Sequence, residues 1–130
     1  SYLDILLYKL ANVLQTKNVL STELNPVPTL LSLIEENYKA HKPISFYAEK
    51  LHMGTQKLNV ICNDQLHKTV HLLLQDRLLT EAKRLLAYSS LTISEIAYQL
   101  NFNDNSYFNR FFKRAEGVTP EQFRKKVKVP

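Results

Sequence analysis

Residues 44–53 (ISFYAEKLHM) return as residues 93–102 (ISEIAYQLNF), and an internal repeat restricts what this chain can fold into more than any other feature does. Ile44, Ser45, Ala48 and Leu51 recur as Ile93, Ser94, Ala97 and Leu100, each 49 positions later, and Met53 is answered by Phe102. Past the turn the offset becomes 50: Leu58-Asn59 matches Phe108-Asn109, Ile61 matches Phe111, and Thr69 matches Thr119. One supersecondary unit is therefore expected twice. Each unit reads as a short helix, a tight turn and a second amphipathic helix, the helix-turn-helix pattern whose second helix commonly enters a DNA major groove. A helical bundle built by duplication, with no nucleic-acid role, is the competing reading.

The fold class expected is all-α, because the chain has only two glycines and little strand-like alternation. At 130 residues it can bury one moderate core, or two small cores sharing a helix. No apolar run approaches the ~18 residues that span a bilayer. With Cys62 as its single cysteine the chain forms no internal disulfide, and a reducing cytoplasm is the simplest setting. The net charge of +5 is uneven. Residues 1–76 carry seven lysines against seven acids, whereas residues 77–130 carry ten Lys/Arg against five acids. A basic half attracts polyanions.

Leu3, Leu7, Leu10 and Leu14 share one face of an expected helix over residues 2–16, and residues 21–28 (STELNPVP) read as a linker. Leu30, Ile34 and Tyr38 mark a helix reaching to about Ala40, ended ahead of Pro43. Residues 72–88 are rich in strong helix formers and form a linker helix between the repeats. At about 1.5 Å per residue it is roughly 25 Å long, which with the width of the flanking modules could set two recognition helices about 34 Å apart, one DNA turn. Thr92 and Glu95 make a capping box, with Leu91 placed to staple onto Ile96. Gly117 suits the residue after a helix end, and Thr119-Pro120 a cap followed by a first-turn proline. The domain organisation expected is an N-terminal helix and linker over 1–28, a first subdomain over 29–71, the linker helix over 72–88, and a second subdomain with a basic tail over 89–130.

On the helix expected around residues 105–116, a step of about 100° per residue puts Phe108, Phe111, Phe112 and Ala115 on one stripe. Ser106, Arg110 and Lys113 face the other way, flanked by Asn109, Tyr107 and Arg114. A guanidinium can bind guanine O6 and N7, Asn and Ser can bond base edges, and Lys can bind phosphate. The equivalent helix, about 55–65, buries Leu58, Ile61 and Cys62 and exposes Gln56, Val60 and Asn63, with Lys57 and Asn59 at the flanks. Val60 stands where the second repeat has Arg110, and in a groove could pack on a thymine methyl. Cys62 reads as a small core residue rather than a nucleophile. His67 and His71 have metal-ligand spacing but lack an accompanying HExxH glutamate, so no metal is expected. His41 and His52 are expected in loops or turns without a partner. The C-terminal Arg124–Lys128 could touch phosphates or form a solvated tail.

The stretch EAKRLLAYSSLTISEIAYQLNFNDNSYFNRFFKRAEGVTPEQFRK (Glu81–Lys125) resembles the AraC/XylS family of bacterial transcription regulators, and the resemblance extends over about residues 29–126. It implies two homeodomain-like helix-turn-helix subdomains joined by a long helix, contacting successive major-groove segments of double-stranded operator or promoter DNA. It further implies a cytoplasmic regulator, activator or repressor, with no catalysis and no cofactor. RNA polymerase is a further partner to expect, as is an N-terminal effector or dimerisation domain in a longer protein. Carried over residue by residue, the second recognition helix would use Asn105, Ser106, Tyr107, Asn109, Arg110 and Lys113, and the first Thr55, Gln56, Lys57, Asn59 and Asn63. The first repeat departs from the usual family pattern, which often has Arg at Val60, Phe at Cys62, Lys near Asn63 and Gly near His67. A helical protein-interaction module is the alternative binding function, and an enzyme would need the metal site that His67 and His71 do not complete.

Overall fold

The computed structural model describes residues 25–128; the helix expected over residues 2–16 and the first part of the expected linker lie outside this span. Within it the chain forms seven α-helices and one 3-10 turn. The first helix, α1 (Val27–Asn37), starts inside the segment expected to be linker. Pro26 is its N-cap and Pro28 lies in its first turn, where a missing N–H costs nothing because those groups have no intrahelical acceptor. Both prolines thus begin a helix. A 3-10 turn, Tyr38–Ala40, ends at His41 in the left-handed conformation (φ 54°), ahead of Pro43.

Two short-helix, long-helix pairs follow: α2 (Ile44–Lys50) with α3 (Thr55–Leu66), and α5 (Ile93–Gln99) with α6 (Asn105–Glu116). Between them runs α4 (Val70–Tyr88), two residues longer at its start than expected, because Thr69 Oγ1 accepts from the Leu72 N–H and caps it. The chain closes with α7 (Pro120–Val127), begun by a reciprocal cap between Thr119 and Gln122. The Thr92–Glu95 capping box forms as expected, and Gly117 is left-handed at φ 92°.

The architecture is two helix-turn-helix subdomains on one long helix. Leu58 and Cys62 of α3, Val70, Ala82 and Leu86 of α4, Ile96 of α5, and Phe108 and Phe112 of α6 are fully buried in a connected core. Burying each of the larger apolar side chains is worth roughly 1.5–3 kcal/mol, which holds the short helices against α4 although none would persist alone.

Arg124 belongs to this framework and not to a solvated, phosphate-seeking tail. Its guanidinium donates to the carbonyls of Leu85, Leu86, Ser89 and Leu91, and Lys128 Nζ adds a 2.8 Å bond to Ser89 O. Carbonyls at and just past a helix end lack their full set of helical donors, and a planar fork with five N–H groups bonds several of them at once, adding to the Ser89 N–H on Leu85 O.

Candidate nucleic-acid interface

In each repeat the first helix ends in a left-handed residue, His52 (φ 57°) or Asn101 (φ 61°), which reverses the chain into the second helix. Histidine and asparagine are among the non-glycine residues that adopt this conformation most readily. Residues 51–54 join α2 to α3, whereas residues 100–104 join α5 to α6, and the additional residue is the source of the change in repeat offset from 49 to 50. The longer turn places Asp104 as N-cap of α6, its Oδ1 accepting from the Tyr107 N–H at 2.7 Å. At the matching place α3 has Gly54, which has no side chain to offer.

Phe108 and Phe112 fix which way α6 faces, with Phe111 half-buried beside them. Ala115 shares their helical stripe but is exposed, because the last turn of α6 runs beyond the core. Asn105, Ser106, Tyr107, Arg110, Lys113 and Arg114 are all exposed on α6. Among the described residues none of Arg110, Lys113 and Arg114 is paired with a carboxylate; the helix's own acid, Glu116, is held by Lys83 at 2.9 Å. Arg114, left out of the expected contact set, belongs to the same cationic surface.

On α3, Leu58 and Cys62 are buried and Ile61 half-buried, leaving Thr55, Gln56, Lys57, Val60 and Asn63 exposed. Val60 is 63% exposed, an outward apolar side chain at the place of Arg110. Burial pushes the Cys62 thiol up from its ordinary pKa, away from nucleophilic reactivity. Asn59 differs from its neighbours: it is half-buried, and its Oδ1 accepts the Val70 N–H at 2.9 Å, joining α3 to the start of α4. The repeat partner of Val70 is Pro120, which has no N–H to give. Asn109 consequently turns along its own helix, donating to Asn105 O at 2.7 Å.

The histidines are not equivalent. His67, like Gly117, is the left-handed cap after its helix, and His71 is exposed. Among the described residues no group of three or more His, Cys, Asp or Glu is placed to hold a metal ion. His41, expected to lack a partner, has one in the other repeat: its Nε2 lies 2.7 Å from Leu100 O. Among the described residues no helix is long and apolar enough to cross a membrane.

The profile of a family described as "Helix-turn-helix domain" matches residues 47–126, which take in both helix pairs and α4. The chain belongs to the AraC/XylS family. The arabinose operon regulatory protein of Salmonella typhimurium is 28% identical over 85 residues, 65% of this chain and 30% of that protein. The HTH-type transcriptional activator RhaR of Yersinia pestis is 26% identical over 129 residues, 95% of this chain and 44% of that protein. The chain thus spans less than half the length of these two curated relatives. Among solved structures, the C-terminal domain of the response regulator yesN from Fusobacterium nucleatum superimposes with a TM-score of 0.71 at 30% identity, covering 77% of this chain and 98% of that one. The C-terminal domain of AraT from Geobacillus stearothermophilus gives 0.74 at 26% identity, covering 80% and 87%. The chain is an AraC/XylS-type DNA-binding domain, and α3 and α6 are the second helices of its two helix-turn-helix units.

Proposed function

We propose that the chain recognises one stretch of double-stranded DNA by placing α3 and α6 in successive major-groove segments, and that it does so as the DNA-binding part of a longer transcription activator. The observation that carries this reading is the face of α6, where Arg110, Lys113 and Arg114 stand exposed without a carboxylate partner beside the hydrogen-bonding Asn105 and Ser106. Buried aromatic rings orient that face, so its charges reach outward at fixed places instead of being scattered over a mobile tail.

Arg110 reads a guanine, Lys113 and Arg114 hold phosphates, and Asn105, Ser106 and Tyr107 contact bases or backbone near the start of α6. Asn109 supports Asn105. On α3, Gln56 and Asn63 read base edges, Val60 packs on a thymine methyl, and Thr55 and Lys57 touch the backbone. Asn59 is assigned to the junction with α4, because its acceptor oxygen is already engaged. The function is binding without catalysis, and no cofactor takes part. RNA polymerase is the protein partner proposed. The exposed Tyr88 and Tyr98, 85% and 82% accessible and off the recognition helices, are suited to such a contact. A preceding effector or dimerisation domain and a cytoplasmic setting complete the proposal, supported by the greater length of the relatives and by their description as regulators.

Selection from a random duplex library, followed by footprinting of the recovered sequence, tests the reading. A protected stretch of about 20 bp, with two sequence-constrained segments roughly one helical turn apart, is the expected result. Recovery of no preferred sequence, with all binding lost at moderate salt, would refute it.

A further inference from the structure

The two subdomains are joined by α4, and they are also joined by a small set of contacts on the side where the 3-10 turn meets the second repeat. His41 Nε2 lies 2.7 Å from Leu100 O. A carbonyl only accepts, so this nitrogen carries the proton and donates it. In return, Asn101 Nδ2 donates to Lys39 O at 2.7 Å. The His41 ring also meets Phe102 edge-on, with centroids 5.0 Å apart. These bonds connect residues 59 and 62 positions apart, and both side-chain donors stand on left-handed backbone. Beside them the two subdomains are joined through the core built on α4. They face one another across α4 over a groove of about 250 Å³, lined by Tyr38, His41 and Leu78 and, from the second repeat, by Phe102, Tyr107 and Phe111.

We propose that His41 and Asn101 form a latch that fixes the position of α6 relative to the first subdomain, and thereby the number of base pairs permitted between the two recognised DNA segments. The inference rests on the reading that both α3 and α6 enter the DNA. The latch acts on α6 directly, because Phe102 also packs against Tyr107, Phe108 and Phe111 with centroids 5.2–5.6 Å apart. A shift at His41 is passed through that ring to the face carrying Arg110. One inserted base pair moves the second DNA segment by about 3.4 Å and turns it by roughly 35°, a mismatch that a latched pair of helices cannot follow. Neither residue touches DNA in this scheme; both are positioning residues.

His41→Asn and Asn101→Gly test it in the full 130-residue chain. Both replacements accept left-handed backbone, so each removes the reach of the side chain without straining the turn. The first measurement needs no DNA. Spin labels on cysteines introduced at the exposed, repeat-related positions 64 and 114 (Asp64→Cys, Arg114→Cys) report the distance between α3 and α6, while the buried Cys62 stays unlabelled. A narrow distance distribution in the parent and a distinctly broader one in each latch variant, with unchanged helical circular dichroism, is expected. Equal widths overturn the latch.

The second measurement uses unlabelled chains and the library-selected operator, intact or with one base pair inserted between its segments. The parent should lose ~100-fold or more on insertion, the binding worth of one or two base-reading contacts, and the latch variants ~10-fold or less. Their affinity for the intact operator should fall by only ~3–10-fold, as the loss of one hydrogen bond predicts. An insertion penalty equal in parent and variants, or a parent indifferent to insertion, overturns the proposal. A parent without sequence preference overturns the DNA reading instead, and the label distances still decide whether the latch exists.

Discussion

Asn59 and Asn109 occupy the same place in the two repeats, yet one side chain holds the fold together and the other lies along its own helix. The difference comes from what each meets eleven residues later, an amide N–H at Val70 or a proline nitrogen at Pro120. Asn59→Ala should therefore cost about 1–3 kcal/mol, since it leaves the buried Val70 N–H without an acceptor, whereas Asn109→Ala should stay within about 0.5 kcal/mol in urea titrations. For DNA binding Arg110 is the side chain expected to matter most. Arg110→Ala should lose ~1–3 kcal/mol of binding to the selected operator and relax preference at one base pair, measured by competition with singly changed sites. The residues that sequence reasoning placed correctly act locally: Cys62 on a buried stripe, Gly117 after a helix end, Thr92 with Glu95 across one turn. Arg124, His41 and Asn59 have structural partners that the sequence does not reveal, for the opposite reason. Their partners lie between 11 and 59 residues away, and no periodicity within a helix encodes them.

Among the elements, α3 and α6 share a fold and differ in charge. Lys57 and Asp64 balance on α3, while Lys83 of α4 takes up the one acid of α6 and leaves three cations facing outward. Lys113→Ala should weaken binding to matched and scrambled DNA alike and flatten the salt dependence by roughly one phosphate contact. Gln56→Ala should instead relax preference at one or two base pairs with the slope unchanged; titrations at several salt concentrations separate the two. Helix α4 carries a charge network of its own. Arg84 binds Glu81 through two bonds of 2.9 and 2.7 Å, and Arg77 binds Glu35 likewise while lying 4.2 Å over the Tyr38 ring. The Arg84 hydrogen bond holds the nearly buried Glu81 carboxyl below the ordinary carboxylate range, more than burial raises it. A depressed carboxylate pKa stabilises the fold above the unfolded value and stops doing so as pH falls through the folded one. Urea midpoints should thus decline in acid, below about pH 4.3. Glu81→Gln should lose about 1 kcal/mol at neutral pH and show a shallower decline. The extent of α4 was nearly legible from its helix formers; its first turn was not, because that depends on the Thr69 cap, and the start of α1 was hidden because two prolines imitate a linker.

For the whole molecule, the repeat and the linker helix together made the two-subdomain plan readable in advance, whereas the contact between the subdomains was invisible, because His41 and Lys39 lie outside the repeat and meet partners 59 and 62 positions away. The plan has a consequence for how the protein comes apart. Because α4 contributes to a core that both helix pairs share, neither pair can melt and leave the other its packing surface. Leu58→Ala, a cavity in the first subdomain worth ~2–5 kcal/mol, should lower the amide protection of α6 as much as that of α3 in native-state hydrogen exchange. Slower exchange retained in α6 alone would show two separate foldons. A single cooperative unit has no long-lived state with one recognition helix ordered and the other dissolved, so a lesion deep in either subdomain withdraws both from the DNA together.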